Sequence, residues 1–124
     1  MRWPRVLRLV YVLALAGATF NHSRELWQGG WLPYDYAPLW TNIFWTALTF
    51  LDPLAIWLLL RQKSAKAGPA GVWLTLGIML LDVAVNLNFG LQHGHSLSSS
   101  LALLAQGIFL GFVLGSAPLL LRKD

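Results

Sequence analysis

The sequence predicts an all-α polytopic membrane protein: a bundle of four transmembrane helices with the N-terminus and the C-terminus both cytoplasmic. Three observations predict it. The 124 residues are 56% hydrophobic and only 11% charged, against roughly 25% charged in an average soluble domain, so lipid must solvate much of the outer surface. Four apolar stretches, at about residues 4–20, 39–60, 69–89 and 98–121, approach or exceed the ~20 residues that a bilayer core of about 30 Å requires of a helix. Finally, eight of the nine Lys and Arg residues fall at three places: Arg2, Arg5 and Arg8; Arg61, Lys63 and Lys66; Arg122 and Lys123. The remaining Arg24 shares its loop with Glu25 and Asp35, and the stretch 90–97 has no Lys or Arg. Basic and non-basic connections therefore alternate, as they do when positive loops stay inside.

The length allows one domain, 1–124. Pro4 and Pro69 suit the first turns of the first and third spans, where a missing N–H costs nothing. The segment Met1–Phe20 also has the form of a secretory signal, with a basic start, an apolar run and the small residues Ala16, Gly17 and Ala18; this is the rival to a retained first span. The outer loop 21–38 carries Trp27, Trp31, Tyr34 and Tyr36, a composition expected to lie in the interface as a short amphipathic turn over the mouth of the bundle. Trp3, Trp57 and Trp73 fall near the predicted inner boundary, and Trp27, Trp31 and Trp40 near the outer one, as in the aromatic belts of membrane proteins.

In the second span, Asn42, Trp45, Thr46, Thr49, Asp52 and Pro53 share an arc of about 120°. The arc of Phe44, Leu48, Leu51 and Ala55 is expected to face lipid. Pro53 removes the N–H that would bond back to Thr49, so the helix is expected to kink or break at Asp52. In the third span, Thr75, Met79, Asp82, Asn86 and Phe89 follow helical steps along one stripe. In the fourth, Gly107, Gly111 and Gly115 form a double GxxxG register for close helix packing, with Ala14, Gly17 and Ala18 of the first span as one partner face and a homodimer as the other use. Gln106 stands beside this seam.

Asp52 and Asp82 are the residues that point to chemistry. A carboxyl inside a bilayer costs about 2.5–3.5 kcal/mol to insert, and no Lys or Arg lies in the middle of any span to pair with either, Arg5 and Arg8 belonging to the basic start of the first. At about 1.5 Å per residue the two fall at similar depth. The expected ligand-binding residues are Asp52, Asp82, Asn86, Thr49, Trp45, Thr46 and Asn42, in a polar track that opens outward. Trp45 is the one Trp that a belt position does not explain, and its face suits a cation or an apolar group. No residue can be singled out as catalytic.

Composition also excludes. There is no cysteine, so disulfides, thiolate metal sites and quinone or vitamin K epoxide reduction by a Cys pair are ruled out. The net charge of +4 is divided among clusters beside apolar runs, which suits anionic lipid rather than nucleic acid. His93 and His95, with His22 or Glu25, do not have a recognised zinc spacing, so neither a metal nor a cofactor is expected. The small multidrug exporters have a functional Glu in the first helix, which has no acid here. Intramembrane aspartyl proteases have a GxGD motif, whereas Asp52 and Asp82 sit in FLDPL and LLDVAVN.

The segments TNIFWTALTFLDPLAIWLLL and GIMLLDVAVN resemble small bacterial membrane proteins of uncharacterised function. At the level of topology the chain is also similar to the EXPERA group, which includes emopamil-binding and sigma-2-type proteins. That resemblance covers most of the chain, without a motif matched residue by residue. It implies a sterol-like or amine ligand with Asp52 and Asp82 in the pocket, and carries over no catalytic residue. The expected function is the binding or carriage of a small amphipathic or cationic ligand, in what is expected to be a bacterial inner membrane. The alternatives are a membrane enzyme with an Asp as general acid or base on a lipid-soluble substrate, and a non-catalytic membrane subunit. The expected partners are membrane lipid, a small hydrophobic or cationic ligand and a second copy through Gly107, Gly111 and Gly115.

Overall fold

The computed structural model describes residues 3–61 and 69–122. Arg2, Lys63, Lys66 and Lys123, which belong to the basic clusters, lie outside the described residues. The chain forms four helices: α1 (Trp3–Gly29), α2 (Leu39–Leu60), α3 (Pro69–His93) and α4 (Leu97–Leu121). Each is long and apolar enough to cross a membrane. Sequence neighbours pack side by side, and a thinner α1–α4 seam closes the ring.

Helix α1 runs well past the apolar stretch that ends at Phe20. Nothing between Asn21 and Gln28 breaks a helix, and the stop comes at the Gly29-Gly30 pair. Gly30 adopts φ 77° and its N–H bonds to Leu26 O at 2.8 Å, a left-handed C-terminal cap that glycine adopts without strain. Polarity therefore marks where the apolar stretch of the helix ends, and glycine marks where the helix itself ends. Helix α3 likewise continues to His93, and α4 starts behind Ser96, whose hydroxyl accepts from Ser99 N at 3.1 Å as an N-cap. Helix α2 is one continuous helix through Pro53, not two half-helices.

The core joins all four helices: Tyr11 and Leu15; Leu48, Ala55 and Leu59; Val72, Ile78 and Met79; Val113, Ala117 and Leu120. This corrects the lipid-facing arc expected for α2. Leu48 and Ala55 are buried, and Phe44 and Leu51 pack against the core. The exposed arc is Ile43, Phe50, Leu54 and Trp57. Because α2 lies between α1 and α3, it buries two flanks rather than one stripe.

The thin α1–α4 seam is held at Tyr11. Ser116 donates its hydroxyl proton to Phe112 O at 2.6 Å, so the Tyr11 hydroxyl must be the donor to Ser116 Oγ at 2.7 Å. The Tyr11 ring meets Phe109 and Phe112 edge-on, each at 5.9 Å between centroids, a favoured aromatic geometry.

Close backbone approach occurs at Gly71, where a Cβ would lie 2.9 Å from Leu59 N. The glycines of α4 behave differently. A Cβ on Gly107, Gly111 or Gly115 would meet nothing within 4 Å, and all three are exposed. At helical spacing they lie opposite Val113, Ser116, Ala117 and Leu120, the residues α4 buries. Among the described residues the glycine stripe meets no other helix, and Gly17 of α1 is equally open.

Candidate functional site

The end of the bundle where α1 and α3 finish and α2 and α4 begin holds a cavity of about 550 Å³, within the roughly 300–1,000 Å³ of small-molecule sites. Its far wall is Ser96, Ser98, Ser99, Ala102, Leu103 and Gln106, from α4 and the turn before it. The opposing wall carries the charged and aromatic groups: Glu25 and His22 from α1, Tyr34 and Tyr36 from the loop, Trp45 from α2, and Asp82, Asn86 and Phe89 from α3. Among the described residues, no Lys or Arg lines it.

The loop is positioned by Asn42. Its Oδ1 accepts from Tyr34 N at 3.1 Å and its Nδ2 donates to Leu32 O at 2.9 Å. A single amide at the start of α2 thus replaces the backbone partners the loop lacks. It also holds Leu32, which is in the left-handed region at φ 51°, a costly conformation for a non-glycine residue. Tyr34 is thereby delivered to the cavity edge, where its hydroxyl donates to Glu25 Oε2. Burial, reinforced by the Glu25 carboxylate, pushes the Tyr34 phenol far above its ordinary pKa, so it remains a donor at physiological pH. Burial, with Glu25 and Asp35 nearby, raises Tyr36 as well.

The aromatic rings pack in an edge-to-face cluster. Tyr34 and Trp45 are 5.2 Å apart, Trp45 and Phe89 5.3 Å, and Tyr36 and Phe89 6.0 Å between centroids.

Asn86 is the polar hub. Indole N–H groups only donate, so Asn86 Oδ1 faces Trp45 Nε1, at 2.6 Å. Its amide protons then go to Asp82 Oδ1 at 3.0 Å and Gln106 Oε1 at 2.7 Å. One side chain therefore ties α2, α3 and α4 together and holds the Asp82 carboxylate in place.

Beneath the cavity lies a second acid. Asp52 is 2% exposed, and its Oδ2 lies 3.9 Å from His22 Nε2. On its other side, His22 Nδ1 is 3.3 Å from the Tyr34 hydroxyl and 3.6 Å from Glu25 Oε2. His22 thus stands between an acid at the cavity edge and an acid in the core. Among the described residues, Asp52 Oδ1 and Thr49 Oγ1 are buried without a hydrogen-bond partner, an arrangement that costs free energy unless a proton, water or cation satisfies it.

Of the seven residues expected to bind ligand, Trp45, Asp82 and Asn86 line the cavity, while Asn42, Thr46, Thr49 and Asp52 are buried outside its lining. Asn42 supports the loop, and Thr46 Oγ1 donates to Asn42 Oδ1 at 3.4 Å. Sequence reasoning did not assign His22, Glu25, Tyr34 or Tyr36 to the site, because it placed the last three in a loop and His22 there or at the very end of the first span. Two signals were present: an unbroken helical sequence up to Gly29-Gly30, and His22 and Glu25 at the i,i+3 spacing that puts both on one helix face. Among the described residues, no three His, Asp or Glu side chains are grouped to hold a metal ion. The chain matches no known protein family, no curated protein and no solved structure.

Proposed function

We propose that this chain is an integral membrane protein, with both termini cytoplasmic, that binds a small organic cation in an outward-opening cavity. One observation carries the reading. Two carboxylates, Glu25 and Asp82, and four aromatic rings, Tyr34, Tyr36, Trp45 and Phe89, converge on a single space. Carboxylates supply the charge that an ammonium needs, and ring faces attract a desolvated cation by about 0.5–2 kcal/mol each. The likeness in topology to EXPERA proteins points the same way, toward an amine or sterol-like ligand. The membrane reading draws further support from the tryptophans. Trp3, Trp57 and Trp73 are exposed near one end of the helices, and Trp27, Trp31 and Trp40 near the other. The basic clusters would keep the first of these ends inside, in a bacterial inner membrane.

The cation site is tested by calorimetry on the full chain in lipid nanodiscs, with choline as the probe. Saturable choline binding is expected, with no binding of its uncharged tert-butyl isostere. Glu25→Gln and Asp82→Asn should each weaken choline by about tenfold or more. Equal heats from the isostere would remove the case for a cation site. Topology is tested by cysteine labelling, since the chain has none of its own. A thiol reagent that cannot cross membranes should label Asp35→Cys in intact cells and Ser64→Cys only after lysis; the reverse pattern would invert the proposed orientation.

A second reading has its own support. The unpartnered Asp52 Oδ1, with His22 at 3.9 Å from the other carboxyl oxygen, is a geometry that can move a proton, and turnover of the bound molecule would separate an enzyme from a carrier. The outward glycine stripe leaves a face on which a second copy can pack.

A further inference from the structure

A second hollow adjoins the first. The groove between α3 and α4 has a volume of about 520 Å³ and is lined by Val83, Leu87, Leu103, Leu104, Gly107 and Ile108, with Ser100 and His95 at its upper end. Its character is opposite to that of the cavity: among the described residues no carboxylate lines it, and its walls are largely aliphatic. It lies on the outer face of the bundle, where Leu87, Leu104 and Ile108 are exposed. Along α4 it extends from Ser100 to Ile108, about 12 Å at helical rise.

The two hollows share a wall, because His95 and Leu103 line both. His95 lies on the short linker 94–96 between α3 and α4. Its ring fills the place where Gly90, having no side chain, leaves room, and a Cβ there would collide with the imidazole. His95 is itself exposed, so turning it aside requires only a change of side-chain rotamer. A carboxylate- and ring-lined chamber thus adjoins an aliphatic channel that faces acyl chains, with one movable side chain at the junction.

We propose that the ligand is a single-chain cationic amphiphile whose head occupies the polar cavity and whose alkyl tail runs past His95 and Leu103 into the α3–α4 groove. This rests on the cation site proposed above and adds to it the tail, its path and entry from the outer leaflet. The occupant is a ligand tail rather than bulk lipid because only the two shared side chains, His95 and Leu103, divide the groove from the cavity. A head seated against Glu25 and Asp82 would otherwise have to expose its tail to water, at a cost proportional to the apolar area left wet.

Gly107 provides the test. A Cβ added there meets nothing within 4 Å and Gly107 lines the groove, so Gly107→Phe puts its ring into the groove from an open position. Gly111→Phe adds the same bulk one turn further along the exposed stripe, away from the groove lining. Full-length protein in nanodiscs is titrated with choline and with dodecyltrimethylammonium, and the partitioning of the latter is subtracted using empty discs. Gly107→Phe is expected to weaken dodecyltrimethylammonium by about tenfold, the scale of overpacking a filled site, and to leave choline within about twofold. Gly111→Phe should change neither. A dodecyl ammonium probe with a diazirine at the tail end should label wild-type residues 100–108 of α4 above other lipid-facing positions.

Unchanged dodecyltrimethylammonium affinity in Gly107→Phe, with choline still bound, would overturn the tail path and leave the cation site standing. Failure of wild type to bind either ammonium would remove both. Equal losses in Gly107→Phe and Gly111→Phe would assign the stripe to contact between copies instead, and diazirine labelling spread evenly over the lipid-facing surface would likewise overturn the groove.

Discussion

Asn86→Leu is expected to destabilise the bundle by about 2–3 kcal/mol and to weaken choline binding with it. An average interhelical hydrogen bond in a membrane protein contributes only about 0.6 kcal/mol, because the separated helices find other partners. Asn86 differs in that its loss strands three groups at once. The Trp45 indole loses its acceptor, Asp82 Oδ1 loses a donor, and Gln106 Oε1 loses another. Each polar group left unpaired in a buried place costs about 1–3 kcal/mol, reduced here because the cavity can admit water. Leu keeps the volume, so the measured loss reports polar pairing rather than a void. Unfolding in mixed micelles titrated with a denaturing detergent gives the number. Trp45→Phe is the companion variant: it removes one donor, keeps the ring cluster and should cost about 1 kcal/mol. A loss below about 0.5 kcal/mol in Asn86→Leu would mean that cavity water replaces the hub without penalty.

Tyr11→Ala is expected to cost about 3–4 kcal/mol, the range for removing a large buried ring. The position is fully buried, and it sits in the α1–α4 seam, which is thinner than the seams between sequence neighbours and has less to compensate. The ring loses its edge-on partners Phe109 and Phe112. Tyr11→Phe should cost only about 1 kcal/mol, because Ser116 keeps its own bond to Phe112 O and only the phenol proton is lost. The same detergent titration reads both variants, and proteolysis in native membranes should find the α1–α4 side opened in Tyr11→Ala alone. Similar losses in the two variants would shift the weight from ring packing to the hydroxyl.

The stripe through Asp82, Asn86 and Phe89 was readable because helical spacing aligns them whatever surrounds the helix. The outward face of α2 is not the one its sequence suggests, since Leu48 and Ala55, expected outside, are buried. In a membrane both the core and the exterior are apolar, so hydrophobicity does not distinguish them. The glycine register of α4 was visible, but register alone does not say which neighbour, if any, occupies it. Gly71 is a lone glycine with no register around it, yet it is where a Cβ would press on Leu59.

By itself the sequence determined that there are four long apolar helices, where the basic residues cluster between them, and that two carboxyl groups sit within the apolar stretches. These are properties of composition and spacing along one chain. Only the tertiary structure decided that His22 and Glu25 extend the site from α1, that Asn42 folds the loop to bring Tyr34 to Glu25, and that Asn86 joins three helices. It also decided that Asp82 lines the cavity while Asp52 lies beneath it. Each of these depends on groups far apart in sequence meeting at hydrogen-bond distance, and a helical period specifies the face a residue lies on but not which neighbouring helix that face will meet.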